Sequence, residues 1–166
     1  MSQLDALTVF VKANMQERAF QGFSSHMDEM KFIPAQKELG LNQRRIAVIQ
    51  YTGLLAWDRF PYRLCDPREL AALCLAWLME SDRELFEEMG IDNDLPDFEI
   101  DLIDEETAVL VVSVPMVEAL NVVRDEKGAI PMDGERWKLE DPEIWIASQA
   151  LIYGVDSQGA KIGPEK

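Results

Sequence analysis

The sequence predicts a single α+β domain, and three observations carry that prediction. A β-branched and aromatic run at 45–57 alternates like a strand, apolar residues at 70–78 recur at helical spacing, and 97–102 alternates acidic with apolar residues. At 166 residues, 48% of them apolar, the chain is long enough for one domain that buries roughly 70% of its unfolded surface. That domain is expected to span 1–156, with its core at about 41–130 and a flexible C-terminal tail at 157–166. Its sheet is expected to be mixed or antiparallel, with an N-terminal helix and one central amphipathic helix packed on it.

The first helix is predicted over 4–18. Leu4, Leu7, Val11 and Met15 lie on one face, and Ser2 with Asp5 forms a capping-box start. Segment 21–40 mixes Gly22, Ser24, Ser25 and Pro34 with Met27, Met30, Phe32 and Ile33. It reads as a long connection holding a helical turn or two, its apolar side chains packed on the core or a partner. In strand 45–57, Ile46 and Val48 share one face while Ala47, Ile49 and Tyr51 share the other, so both faces are expected to be partly covered. Gly53 points to a bulge or bend there, and residues 59–62 end the strand.

The central helix carries the strongest local signals. Asp66 suits the N-cap, Pro67 the first helical position and Glu69 the capping box; Leu70, Leu73, Cys74, Trp77 and Leu78 then form the buried stripe. Ser81 with Glu84 is expected to cap a second short helix containing Leu85, Phe86 and Met89, closed by Gly90.

Phe98, Ile100 and Leu102 alternate with Asp97, Glu99 and Asp101, which predicts a strand with one dry and one wet face. Asp104-Glu105-Glu106 turns the chain into an apolar return strand at 108–114, which Pro115 is expected to interrupt before 116–123 resumes. A turn at 125–128 leads into a short strand at 129–130, and 132–142 reads as loop. Late apolar patches follow at 144–146 and 151–153.

Net charge is −15, from 31 acidic and 16 basic residues. Such a surface is repelled by phosphate backbones and anionic lipids, which argues against direct nucleic-acid or membrane binding. No apolar run approaches the ~20 residues that span a bilayer. The first residues lack a basic stretch followed by an apolar one, so no secretory signal is expected and a soluble, cytoplasmic origin is the default.

The residues that usually carry chemistry are sparse. Cys65 and Cys74 stand nine apart, a spacing that suits neither a zinc knuckle nor a redox pair, and both read as reduced and structural. His26 has no second histidine or nearby cysteine with which to share a metal. No nucleophile elbow or phosphate-binding glycine loop occurs. The acidic run 92–97 fails as a calcium loop because Asp97 stands where the turn needs glycine. A two-metal carboxylate site from Asp97, Glu99, Asp101 and Asp104 is conceivable, but strand alternation accounts for the first three as a solvated face. No catalytic residue, metal or cofactor is therefore assigned. Trp145, Ile146, Leu151, Ile152 and Tyr153 are the candidate subunit or partner interface, because aromatics beside β-branched residues near a chain end are typical of surfaces buried on assembly. A final strand of the domain's own sheet is the competing reading for the same residues.

The order of elements resembles the phage tail completion protein R family of contractile-tailed phages. The residues that carry the likeness are Gln50-Tyr51-Thr52-Gly53, Leu75-Ala76-Trp77-Leu78, Asp97-Phe98-Glu99-Ile100-Asp101, the apolar return strand, and Val117-Glu118 before a glycine-containing turn. The likeness covers roughly 45–130. It implies a tail-terminator-like fold and a virion protein that completes the head-proximal end of a tail after assembly in the host cytoplasm. It further implies a homohexameric ring on the tail tube, with the sheath nearby, joined to the head connector; DNA would pass through without adhering to acidic walls. Phage and tailocin origins both fit. A neck or connector adaptor is the nearest alternative. From other classes come an acidic DNA-mimic inhibitor of a nucleic-acid enzyme and a carboxylate-metal hydrolase.

Overall fold

The computed structural model describes residues 1–140. In chain order the elements are α1 (Gln3–Asn14), a 3-10 turn (Glu17–Phe20), β1 (Phe23–Ile33), β2 (Lys37–Gly40), β3 (Gln43–Phe60), α2 (Pro67–Glu80), α3 (Glu84–Met89), β4 (Asp97–Leu102), β5 (Ala108–Arg124), β6 (Ile130–Met132) and β7 (Glu135–Leu139). The strands form a curled, wholly antiparallel sheet in the order β1-β3-β5-β7-β6. β2 pairs β3 on the same side as β1, and β4 pairs β5 on the same side as β7. Two long central strands thus run the height of the molecule, each flanked by two shorter strands end to end.

One sheet face carries the main core. Tyr51, Leu55 and Trp57 of β3 and Leu110, Val112, Val114 and Met116 of β5 meet Leu4, Leu7 and Val11 of α1 and Leu70, Cys74 and Trp77 of α2. Period-two strand faces pack here against period-3.6 helix stripes, which is why neither the helices nor the strands are apolar all round. The opposite face is thinner, with Val48, Val117 and Phe86 of α3 at its centre. Both helix starts use the expected N-caps, but the capping box expected from Glu69 on α2 does not form, because Asp66 accepts from Arg68 instead. Ser2 and Asp5 make a reciprocal capping box on α1, while the Asp66 side chain accepts from the Arg68 N–H at 2.9 Å and Pro67 opens α2.

Several expectations are corrected. α1 ends at Asn14, and the turn at Glu17–Phe20 is separate. Segment 21–40 holds no α-helix and supplies β1 and β2. The reason is a bulge between Asp28 and Lys31, with Glu29 at φ 52°. The extra residue shifts the strand's alternation, so Met27 and Phe32, five apart, share the core-bearing face while Ile33 lies on the other, and no period of two runs through the segment. β3 continues to Phe60, where a bulge between Trp57 and Phe60 returns a buried ring to the core.

Gly53 is no bulge; it stays in register with both Met27 and Val114. A Cβ there would stand 3.0 Å from Leu4 Cδ1 and 3.5 Å from Met116 Cγ, so glycine admits α1 close to the sheet. Ser81 does not cap α3. Its hydroxyl donates to the Trp77 carbonyl at 2.6 Å and closes α2, while Asp82 accepts from the Glu84 N–H at 2.9 Å. Gly90, at φ 65°, ends α3 as expected.

Pro115 does not interrupt β5, which pairs Thr52 opposite Pro115 without a break. The Pro115 carbonyl accepts from Arg83 at 3.1 Å instead of from β3. The nitrogen of a strand residue faces the same way as its carbonyl, here into the gap between the ends of β4 and β7. No ladder hydrogen bond is lost. Finally, 132–142 contains β7, joined to β6 by Asp133-Gly134 with φ 52° and 74°, a two-residue hairpin turn.

Candidate functional site

Edge strand β4 is the most distinctive surface. Phe98, Ile100 and Leu102 pair with Val112, Leu110 and Ala108, so they share the core-bearing face. The expected dry side is nevertheless wet. Phe98 is half-buried, but Ile100 is 43% and Leu102 69% exposed, and Ile103 and Val109 nearby are also exposed. Among the described residues β4 pairs with β5 alone, and none of them covers its outer backbone edge. An open edge carrying exposed apolar side chains is a template for another chain.

The hairpin tip beside it is rigid. Asp104 Oδ1 accepts from the N–H groups of Glu106 and Thr107 and from the Thr107 hydroxyl at 2.7–3.0 Å. Those bonds, the Glu106 N–H first, hold its carboxyl below the ordinary aspartate range. Tyr62 and Arg63 donate to the carbonyls of Asp104 and Glu105, tying the tip to the loop before α2.

This geometry separates the residues considered for metal chemistry. Asp97, Glu99 and Asp101 pair with Ser113, Val111 and Val109 on the other face, spaced along the strand by ~7 Å, too far to share one small ion. Asp104 is committed to its turn. Among the described residues no group of three His, Cys, Asp or Glu is placed to hold a metal. His26 is exposed on β1 opposite Leu54. Both cysteines are free and buried. Burial pushes the Cys74 thiol up to about 12, and burial followed by Glu69 raises that of Cys65, so neither supplies a thiolate near neutrality.

Between Arg83 and Arg124 the sequence contains no lysine or arginine, so β4 and its hairpin contribute only acidic charges, while Arg63, from the loop before α2, reaches the hairpin tip. The opposite end holds a cluster of paired arginines. Arg44 and Arg124 lie 5.2 and 5.7 Å from the ring centre of buried Trp137, and they pair with Glu38, Asp133 and Glu135. Arg45, nearly buried, joins Glu88 of α3 at 2.6 Å and donates to the Ala35 carbonyl at 2.8 Å. Sequence reading missed this cluster because its members come from β2, β3, α3, β5, β7 and the turn before β7, far apart in the chain.

A second surface lies on the core-bearing face beyond α1. Ile49, Leu120, Met30, Phe32 and Leu139 line a groove of about 630 Å³ below the N-terminus of α1. At its head, buried Glu118 accepts from the Tyr51 hydroxyl and from the Gln3 N–H in the first turn of α1. Burial, then the Glu118 contact, pushes the Tyr51 phenol far up, so it remains a donor. The Glu118 side chain meets the N-terminal, positive end of α1. The five C-terminal residues named above, Trp145, Ile146, Leu151, Ile152 and Tyr153, lie outside the described residues.

An α+β domain whose described residues leave an apolar strand edge uncovered presents a surface of the kind that is buried on assembly. Comparison with known proteins supplies the particular family. A model of the P2 phage tail completion protein R (GpR) matches residues 1–142, and the chain belongs to that family of phage tail structural proteins. It is also 24% identical over 145 residues to the "Uncharacterized 19.2 kDa protein in rep-hol intergenic region" of Haemophilus phage HP1 (strain HP1c1), covering 86% of this chain and 84% of that protein. No solved structure matches the chain.

Proposed function

We propose that this protein completes the head-proximal end of a contractile phage tail as a hexameric ring, which caps the tail tube and presents a surface to the head connector. The family match over 1–142 carries the reading. The β4 edge supports it, since closing a ring by head-to-tail contacts needs an available surface and none of the described residues covers this one.

Six copies at −15 each would carry −90 formal charges. Acidic residues facing the lumen would let DNA slide past, and repulsion between copies would weaken at higher salt. Electron microscopy of the chain mixed with tail tubes should show a six-fold ring at one tube end, more abundant at physiological than at low salt. Leu102→Asp, at a position 69% exposed, should abolish the ring and leave the thermal unfolding midpoint unchanged. A monomer at every salt concentration, with or without tubes, would falsify the proposal.

A further inference from the structure

We propose that the apolar groove below α1 is the seat of this chain's own C-terminal segment, residues 144–153. The proposal concerns the isolated subunit and does not depend on the ring.

The groove is an uncovered continuation of the main core. Its floor, Ile49 and Leu120, belongs to the same sheet face that α1 and α2 cover further along the strands. Its walls leave large apolar side chains in solvent, with Met30 47%, Phe32 69% and Leu139 54% exposed. Its volume of about 630 Å³ is in the range that accepts a few large side chains.

The end of the described chain lies at this groove. Leu139 and Glu140 are themselves part of its lining. Glu140 is held there by its N–H on the Asn121 carbonyl at 2.8 Å and by Gln43 Nε2 on its carboxylate at 3.2 Å. Three residues, Asp141-Pro142-Glu143, separate it from Ile144. From Glu140 Cα to Ile144 Cα they reach at most ~14 Å, a tether short enough for the proposed seating of the apolar run that begins there. The run is suited to it chemically: 144–155 contains no charged residue in a chain of net charge −15, and it includes Trp145, Ile146, Leu151, Ile152 and Tyr153. A tether this short gives the cis segment a high effective concentration, against which a segment from another molecule must compete. This seating makes the groove the first partner of the five C-terminal residues, in place of a neighbouring subunit.

Limited chymotrypsin digestion of the full chain, followed by mass spectrometry, tests the assignment. Cleavage after Trp145 and Tyr153 should be slow in the native protein and independent of its concentration. Phe32→Asp should speed it at least tenfold. Because Phe32 is 69% exposed, this variant should keep its circular dichroism spectrum. Trp145→Asp should speed cleavage after Tyr153 in the same way and raise binding of an apolar dye, which Phe32→Asp should reduce again in the double variant. Equal cleavage rates in native and Phe32→Asp protein would overturn the proposal. So would protection that appears only as concentration rises, together with a mass above the monomer by light scattering, because the groove would then hold a second copy's segment.

Discussion

At the scale of single residues, close approach matters more than identity. A Cβ on Gly128 would stand 2.1 Å from the Trp137 carbonyl oxygen, a backbone atom that cannot move aside alone. Gly128→Ala should therefore displace β7 at a cost of roughly 1–3 kcal/mol. Hydrogen exchange should show the loss of protection concentrated at Glu135–Leu139. Cys74 illustrates burial instead. Its thiol should resist alkylation near neutrality in the folded chain and react freely in denaturant. With a folded value of about 12 against 9.0 for a free thiol, it contributes stability that is complete below pH 9 and lost as pH rises toward 12. The urea midpoint should fall over that window, and Cys74→Ala should flatten the slope.

At the scale of elements, α1 is held by apolar burial and by one polar anchor. Glu118 satisfies both the Tyr51 hydroxyl and the first turn of α1. Glu118→Ala strands a buried hydroxyl and should cost about 1–3 kcal/mol in a urea titration, with Glu118→Gln costing less because one acceptor oxygen remains. The stripe on α2 grades similarly. Leu70, Cys74 and Trp77 are fully covered, whereas Leu73 is half-buried. Leu70→Ala should cost roughly 2–5 kcal/mol, and Leu73→Ala should cost less because it leaves a smaller void. Equal costs would contradict the placement of α2 on the sheet.

At the scale of the whole molecule, electrostatics sets the conditions of stability and assembly. The carboxyls of Asp5, Asp66, Asp104 and Asp125 are held below their ordinary value of 3.8 by hydrogen bonds, chiefly from backbone N–H groups or, for Asp66, from Arg68. Depressed groups contribute stability that is present above the unfolded value and lost as pH falls through the folded ones. Thermal stability should therefore decline below about pH 4, and a thermal midpoint unchanged from pH 6 to pH 3 would contradict this. The same carboxylates repel between copies, so conditions that preserve the fold oppose assembly until salt screens them.

The sequence by itself determined the elements whose signals are local. Both capped helices, the hairpin of β4 and β5, and the family motifs at 50–53, 75–78 and 97–101 were legible because capping, period and turn chemistry need only near neighbours. For β1 the bulge at Asp28–Lys31 disguised the strand period. For β7 the signal was present in Asp133-Gly134 and went unread. Only the tertiary structure decided that Pro115 is harmless, since this depends on where β4 and β7 end, and that Gly53 serves α1 rather than a bend. It alone decided that Ile100 and Leu102 face solvent. Alternation tells which face a side chain is on, but coverage of that face is set by helices packed from elsewhere in the chain, and α1 and α2 stop short of both the β4 edge and the groove at Glu140.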